Sequence, residues 1–252
     1  MFVDSHTHLL RLAVSPEKAI EGAAEAGVLA VVNIGTDLED SQEGAKLAAA
    51  LPNVYSSAGI HPHNAGTYTA PDLEALAELS ESPGIVALGE VGLDYYRGDW
   101  LKEIQRALFE DVISLANDTR LPLIVHSREA FDETMAVLSR ARVPIVLHCF
   151  EGGEREAREA TERGYYVGLA GNVTYKNSET AKILGTLDPE RILVETDAPY
   201  LSPQAVRTKK NEPKYVVHTA SFVAEQVGMD KGEFGTLTSR NARNVFSLPL
   251  EV

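Results

Sequence analysis

The sequence predicts an α/β fold, a (β/α)8 barrel of the TIM type, and three observations carry that expectation. Eight short apolar runs of strand character alternate with helical segments along the chain. Most of these runs have no polar alternation, the pattern of parallel strands covered on both faces. No glycine-rich dinucleotide turn follows the first run, as an open doubly wound sheet would need. The 252 residues, 44% of them hydrophobic, suit one large core, so a single domain over residues 1–252 is expected.

The elements follow in order. Met1-Phe2-Val3 leads into Asp4-Ser5-His6-Thr7-His8 as the first strand, where the period of two puts Asp4, His6 and His8 on one face. Ser15-Pro16-Glu17 offers a capping serine and a first-turn proline for a helix to about Ala26, closed by Gly27. Val28 to Ile34 is the second strand, and the unit then repeats: helix Asp40 to Leu51, strand Val54 to Ile60, helix Asp72 to Glu81, strand Ile85 to Leu93. The longest helix runs from about Trp100 to Asn117, with Leu101, Ile104, Leu108, Val112 and Leu115 as its apolar stripe. Strand Leu121 to Val125, helix Phe131 to Arg140, strand Pro144 to Phe150, helix Glu154 to Arg163, strand Tyr165 to Leu169, helix Glu179 to Leu184 and strand Ile192 to Glu195 complete eight strands. Asp197 to Lys214 reads as a long final loop, followed by helix Val216 to Val227, a short Lys231 to Leu237 turn and helix Arg240 to Phe246.

Composition excludes some classes. A formal net charge of -14 argues against non-specific coating of nucleic acid, although bound cations could still make one pocket locally positive. Cys149 is the only cysteine, so no intramolecular disulfide forms, and its apolar neighbours predict a buried, inert thiol in a reducing compartment. No basic segment precedes a long apolar one at the N-terminus, and no apolar run approaches the roughly 18 residues of a membrane span. The expectation is a cytoplasmic protein without membrane association, and no obligate protein partner is readable from the sequence.

Residue types that bind metals fall at strand ends, where barrel active sites lie. His6 and His8 close strand one, Glu90 strand four, His126 strand five, His148 strand six and Asp197 strand eight. The simplest arrangement puts one divalent ion on His6, His8 and Asp197, a second on His126 and His148, and Glu90 between them, with coordination positions left open for catalysis. Asp4 and Glu195 lie one pair deeper and are read as carboxylates that orient ligands. His63 and His218 are read as loop and surface-helix histidines.

The motifs Asp4-Ser5-His6-Thr7-His8, Gly59-Ile60-His61-Pro62, Gly89-Glu90-Val91-Gly92-Leu93-Asp94, Val125-His126-Ser127-Arg128, His148-Cys149-Phe150 and Glu195-Thr196-Asp197-Ala198-Pro199-Tyr200 together resemble the TatD family of metal-dependent hydrolases. The resemblance spans essentially the whole chain, including Asn211-Glu212-Pro213 and the Arg240 to Phe246 tail. It implies an amidohydrolase-type barrel with a dinuclear centre and deoxyribonuclease activity of the 3′ to 5′ exonuclease kind. Two departures stand near the barrel mouth: Glu151 where a small hydroxyl residue is usual, and Thr208 where glycine usually follows the arginine. They bear on substrate preference more than on metal binding.

A metal pair would lower the pKa of a shared water and clamp the attacked phosphoryl oxygen. Asp197 then serves as proton acceptor or as ligand alone, and His61 either reaches a non-bridging phosphate oxygen or fixes the Pro62 turn. Arg128, Arg207 and Tyr200 are the candidate substrate contacts. Arg207, Lys209, Lys210 and Lys214 form a basic cluster, and Tyr95, Tyr96, Trp100 and Tyr200 offer stacking faces for single-stranded DNA, with at most one of Tyr95 and Tyr96 facing the pocket. The imidazole-rich set favours zinc, manganese or iron over magnesium, with magnesium or manganese workable through the carboxylates. Two further readings are hydrolysis of a small-molecule or aminoacyl ester or amide, and a non-catalytic metal-binding scaffold, which has no need of six ligands at five strand ends.

Overall fold

The computed structural model describes residues 1–96 and 101–251. Among these, eight strands form one sheet whose order follows the chain: β1 (Phe2–Thr7), β2 (Val28–Asn33), β3 (Val54–Ala58), β4 (Ile85–Asp94), β5 (Leu123–Arg128), β6 (Ile145–Leu147), β7 (Tyr166–Leu169) and β8 (Ile192–Val194). The β1–β2, β3–β4, β4–β5, β5–β6 and β7–β8 ladders are all parallel. Past β8 the chain returns to β1 through a parallel bridge between Thr7 and Ala198, with His8 N–H donating to Ala198 O at 2.8 Å and Asp197 N–H to His6 O at 2.9 Å. This is the predicted (β/α)8 architecture. No helix among the described residues is long and apolar enough to cross a membrane.

Two compact units can be described separately. The first, residues 1–33 and 148–252, contains β1, β2, β7 and β8 with α1 (Pro16–Glu25), α6 (Glu154–Glu162), α7 (Glu179–Ile183), α8 (Val216–Val227) and α9 (Lys231–Phe246). Ser15 caps α1 by accepting from Lys18 N, as its sequence predicts. Residues 231–246 form one helix rather than the expected turn and short helix. Asp230 caps its start, and Thr238, at the expected break, turns its hydroxyl back onto Phe234 O and Gly235 O, which satisfies it within the helix.

The second unit, residues 34–147, contains β3 to β6 with α2 (Leu38–Ala50), α3 (Ala70–Ser80), α4 (Lys102–Thr119) and α5 (Phe131–Val137). Helix α2 starts two residues earlier than predicted because Asp37 caps it, accepting from Asp40 N at 2.8 Å. The stripe of α4 also differs from expectation. Ile104 is 42% exposed while Gln105 is fully buried, in line with Leu101, Leu108, Phe109, Val112, Ile113 and Ala116.

Gln105 is buried for a reason set by strand length. β3 pairs with β4 only as far as Leu88, whereas β4 continues to Asp94. Gln105 substitutes for the missing strand at the far end: its Oε1 accepts from Asp94 N at 2.8 Å and its Nε2 donates to Asp94 O at 3.1 Å. Buried main-chain groups need partners, and here a side-chain amide supplies both.

Candidate metal centre

In the first unit, His6 lies in β1 and His8 directly after it, both buried. The His6 ring stacks on that of His148, one residue past β6, with centroids 4.0 Å apart, and meets His8 edge-on at 5.2 Å. Asp197, three residues past β8 and in the left-handed backbone region at φ 53°, brings Oδ1 to 3.6 Å from His6 Nε2 and 3.3 Å from His8 Nε2. Burial alone would raise the Asp197 pKa. The His8 hydrogen bond and the nearby His6, His8 and His148 rings outweigh it, so the carboxyl sits below its ordinary value.

Behind these residues, the fully buried Asp4 accepts from Thr196 N at 2.8 Å and Thr196 Oγ1 at 2.6 Å, and from His6 N at 3.4 Å. It thereby ties the strand bearing His6 to the segment bearing Asp197. Burial holds its pKa well above the ordinary value despite the Thr196 bonds. Glu195 accepts from Cys149 N at 2.6 Å and lies 3.5 Å from His148 Nδ1. One ligand-type atom each from His6, His148 and Glu195 falls within a 4.8 Å span, which groups Glu195 with the imidazoles. Gly168 makes this possible, since a Cβ there would meet Glu195 Oε2 at 2.1 Å.

In the second unit, Glu90 and His126 face each other, with Oε1 to Nδ1 at 2.8 Å, and His61 Nε2 approaches the same Oε1 at 3.5 Å. Ligand-type atoms of His61, Glu90 and His126 also fall within 4.8 Å. Glu90 is not at a strand end as expected; it lies inside β4, beside a register shift between Leu88 and Val91. Asp94 completes the group, its Oδ2 2.9 Å from His63 Nε2 and 3.1 Å from His126 Nε2. His63 is therefore more than a loop residue, because its side chain meets Asp94 and its N–H donates to His61 Nδ1 at 3.0 Å. Sequence reasoning assigned Asp94 no role, although its spacing of four from Glu90 put both on one strand face.

The donor sets fit divalent cations. Each unit gathers imidazoles and carboxylates of the kind zinc and manganese take, buried in the first unit and, in the second, a buried Glu90 between the half-buried His61 and His126; His8 Nδ1 is buried with no hydrogen-bond partner among the described residues.

The candidate substrate contacts are distributed differently. Tyr200 is 49% exposed, its ring edge-on to His8 at 5.9 Å. Arg128 lies over the Tyr96 ring at 4.0 Å, and Arg207 over Tyr175 at 4.1 Å, where it also donates to the Tyr175 hydroxyl. Lys209 and Lys210 are exposed, whereas Lys214 pairs with Glu212 at 2.8 Å. Tyr96 is exposed; Tyr95 is half-buried under Lys102. Trp100 falls outside the described residues. Glu151 accepts from Asn172 at 2.7 Å, and Thr208 is exposed. Cys149 is half-buried rather than buried, because its backbone turns at φ 45° and its Sγ accepts from Asn172 at 3.5 Å. His218 is half-buried on α8; burial and the charges of Lys231 and Lys209 lower its pKa.

Residues 3–247 match the model of the TatD related DNase family. The uncharacterized metal-dependent hydrolase YabD of Bacillus subtilis (strain 168) is 34% identical over 254 residues, covering 98% of this chain and 100% of the relative. The 3'-5' ssDNA/RNA exonuclease TatD of Escherichia coli (strain K12) is 32% identical, covering 90% of each. The crystal structure of YJJV, a TatD homolog from Escherichia coli K12, superposes with a TM-score of 0.93 at 28% identity over 98% of both chains.

Proposed function

The chain belongs to the TatD related DNase family of metal-dependent hydrolases, and from that membership we propose that it removes nucleotides from the 3′ end of single-stranded DNA by hydrolysing phosphodiester bonds. The observation that carries the proposal is the pair of imidazole and carboxylate clusters, one in each unit. The proposed ligands of two divalent ions, zinc, manganese or magnesium, are His6, His8, Glu90, His126, His148 and Asp197. Bound ions of this kind supply charge that acidifies water and offsets the charge developing on a phosphoryl group.

The protein's own residues have distinct tasks in this reading. Asp197, with its lowered pKa, is ionised near neutral pH and able to accept a proton at a carboxylate oxygen. His61 receives the His63 N–H at Nδ1, which leaves Nε2 to carry the ring proton and donate it to a non-bridging phosphate oxygen. Tyr200 offers an exposed ring beside His8 for the terminal base, and Arg128 and Arg207, each lying against a tyrosine, take backbone phosphates.

The test is incubation of metal-loaded protein with single-stranded DNA labelled at either end, with RNA, and with carboxyl esters and amides, next to Glu90→Ala. Stepwise shortening from the 3′ end that vanishes in the variant is expected. Turnover of esters or amides without DNA turnover would overturn the reading, as would DNA cleavage untouched by Glu90→Ala.

A further inference from the structure

We infer that Asp94 is a positioning residue that sets which nitrogen of His126 faces a cation, and that Gln105 in turn fixes Asp94. The inference rests on the reading above, in which His126 and Glu90 are ligands.

A neutral imidazole has one lone pair and one N–H, and a ligand imidazole gives the lone pair to the cation, so its other nitrogen must carry the proton. Both nitrogens of His126 face carboxylates, Nδ1 towards Glu90 at 2.8 Å and Nε2 towards Asp94 at 3.1 Å. The two carboxylates are not equivalent. Glu90 shares its side of the ring with His61, and these three residues bring ligand-type atoms within 4.8 Å of one another. Asp94 accepts from His63 Nε2 through the same Oδ2 that meets His126, so it is built as a shared acceptor. Asp94 therefore takes the Nε2 proton, and Nδ1 is left for a cation held with Glu90. A carboxylate behind a ligand histidine also raises the basicity of the ring.

This acceptor is held rigidly. The Asp94 side chain is 1% exposed, and both its main-chain groups are engaged by Gln105, a fully buried residue of α4. On its other side, Asp94 is in register with Arg128 of β5, two residues beyond His126 on that strand. The distance from Asp94 to His126 is thus set by a ladder and by a helix, not by a loop.

Two measurements test this on the full-length zinc-loaded protein. Long-range 1H–15N correlation spectra of the wild type should show His126 protonated at Nε2 and metal-bound at Nδ1; the reverse assignment overturns the inference. Zinc affinity by chelator competition, and the visible spectrum after cobalt replaces zinc, are then compared between wild type and Asp94→Asn. The variant should bind one of its ions about 10–100-fold more weakly and show an altered cobalt spectrum. Unchanged affinity and spectrum in Asp94→Asn would overturn the inference while leaving the metal reading intact, whereas a wild type that binds no zinc removes both. The wild-type spectra decide the matter even if Asp94→Asn fails to fold.

Discussion

Gln105→Met tests whether a side-chain amide does replace a missing strand. Methionine has nearly the same length and fills the same space, so the change leaves no sizeable cavity and alters polarity alone. Gln105 is fully buried, and its two hydrogen bonds to Asp94, at 2.8 and 3.1 Å, are lost together. What remains is an N–H and a C=O of Asp94 at a site where β3 has already ended. Each buried main-chain group left unsatisfied costs about 1–3 kcal/mol, so the two together should destabilise the fold by about 2–6 kcal/mol. Against a usual total of about 5–15 kcal/mol, this is large enough to read directly from urea unfolding of the chelator-treated protein. The opposite reasoning is that a polar residue in an apolar stripe is a burden, so that methionine should stabilise. That holds only when both partners of a hydrogen bond are replaced, and here the Asp94 main chain stays. A Gln105→Met protein as stable as the wild type would refute the account.

Four other outcomes follow from the first unit. Burial keeps the Asp4 pKa well above the ordinary value, so the carboxyl begins to destabilise the fold once pH rises past that ordinary value and continues until its raised value is reached. In chelated protein, Asp4→Asn should therefore gain on the wild type by about 1.4 kcal/mol per pH unit across that window, and parallel stability–pH curves would contradict this. Asp197 has the opposite sign: its lowered pKa supports the fold above the ordinary carboxylate value and withdraws that support as pH falls through the lowered one. Gly168→Ala would place a Cβ 2.1 Å from Glu195 Oε2, so the variant should fold yet bind zinc more weakly, and wild-type affinity by chelator competition would count against a role for Glu195 beside His148. Tyr200→Ala should weaken single-stranded DNA binding by about 1–3 kcal/mol while Tyr200→Phe retains it, measured as KM on labelled oligonucleotides; equal KM values would remove the stacking role.

The parts legible in the sequence are those whose signal is carried by the residue itself. His6 and His8 stand two apart on an apolar strand, and Glu90, His126, His148 and Asp197 are polar residues in or just after apolar runs, the places where a barrel carries functional side chains. Asp94 follows its apolar run as those residues do, whereas Gln105 carries no such signal. Apolar periodicity measures how side chains partition from water, and by that measure Ile104 belongs in the α4 stripe and Gln105 does not; the structure reverses them. The reversal comes from the hydrogen-bond demand of another element. The pairing of β3 with β4 stops at Leu88 while β4 runs on to Asp94, and there the Gln105 amide, donor and acceptor at once, meets the main chain of Asp94 from a helix. That demand depends on the difference between two strand lengths, which no single segment displays. Where the sequence suggests a break, between Leu237 and Arg240, the helix runs on, and the Thr238 hydroxyl there is satisfied by carbonyls of its own helix. Polar residues in this fold are readable from sequence at a strand end or a helix start, as His8 and Ser15 are, and hidden when they serve the main chain of another element, as Gln105 does. Gln105, behind Asp94, belongs to the hidden kind, and for that reason a reading that stops at the ligand-type side chains misses what packs behind the proposed ligands.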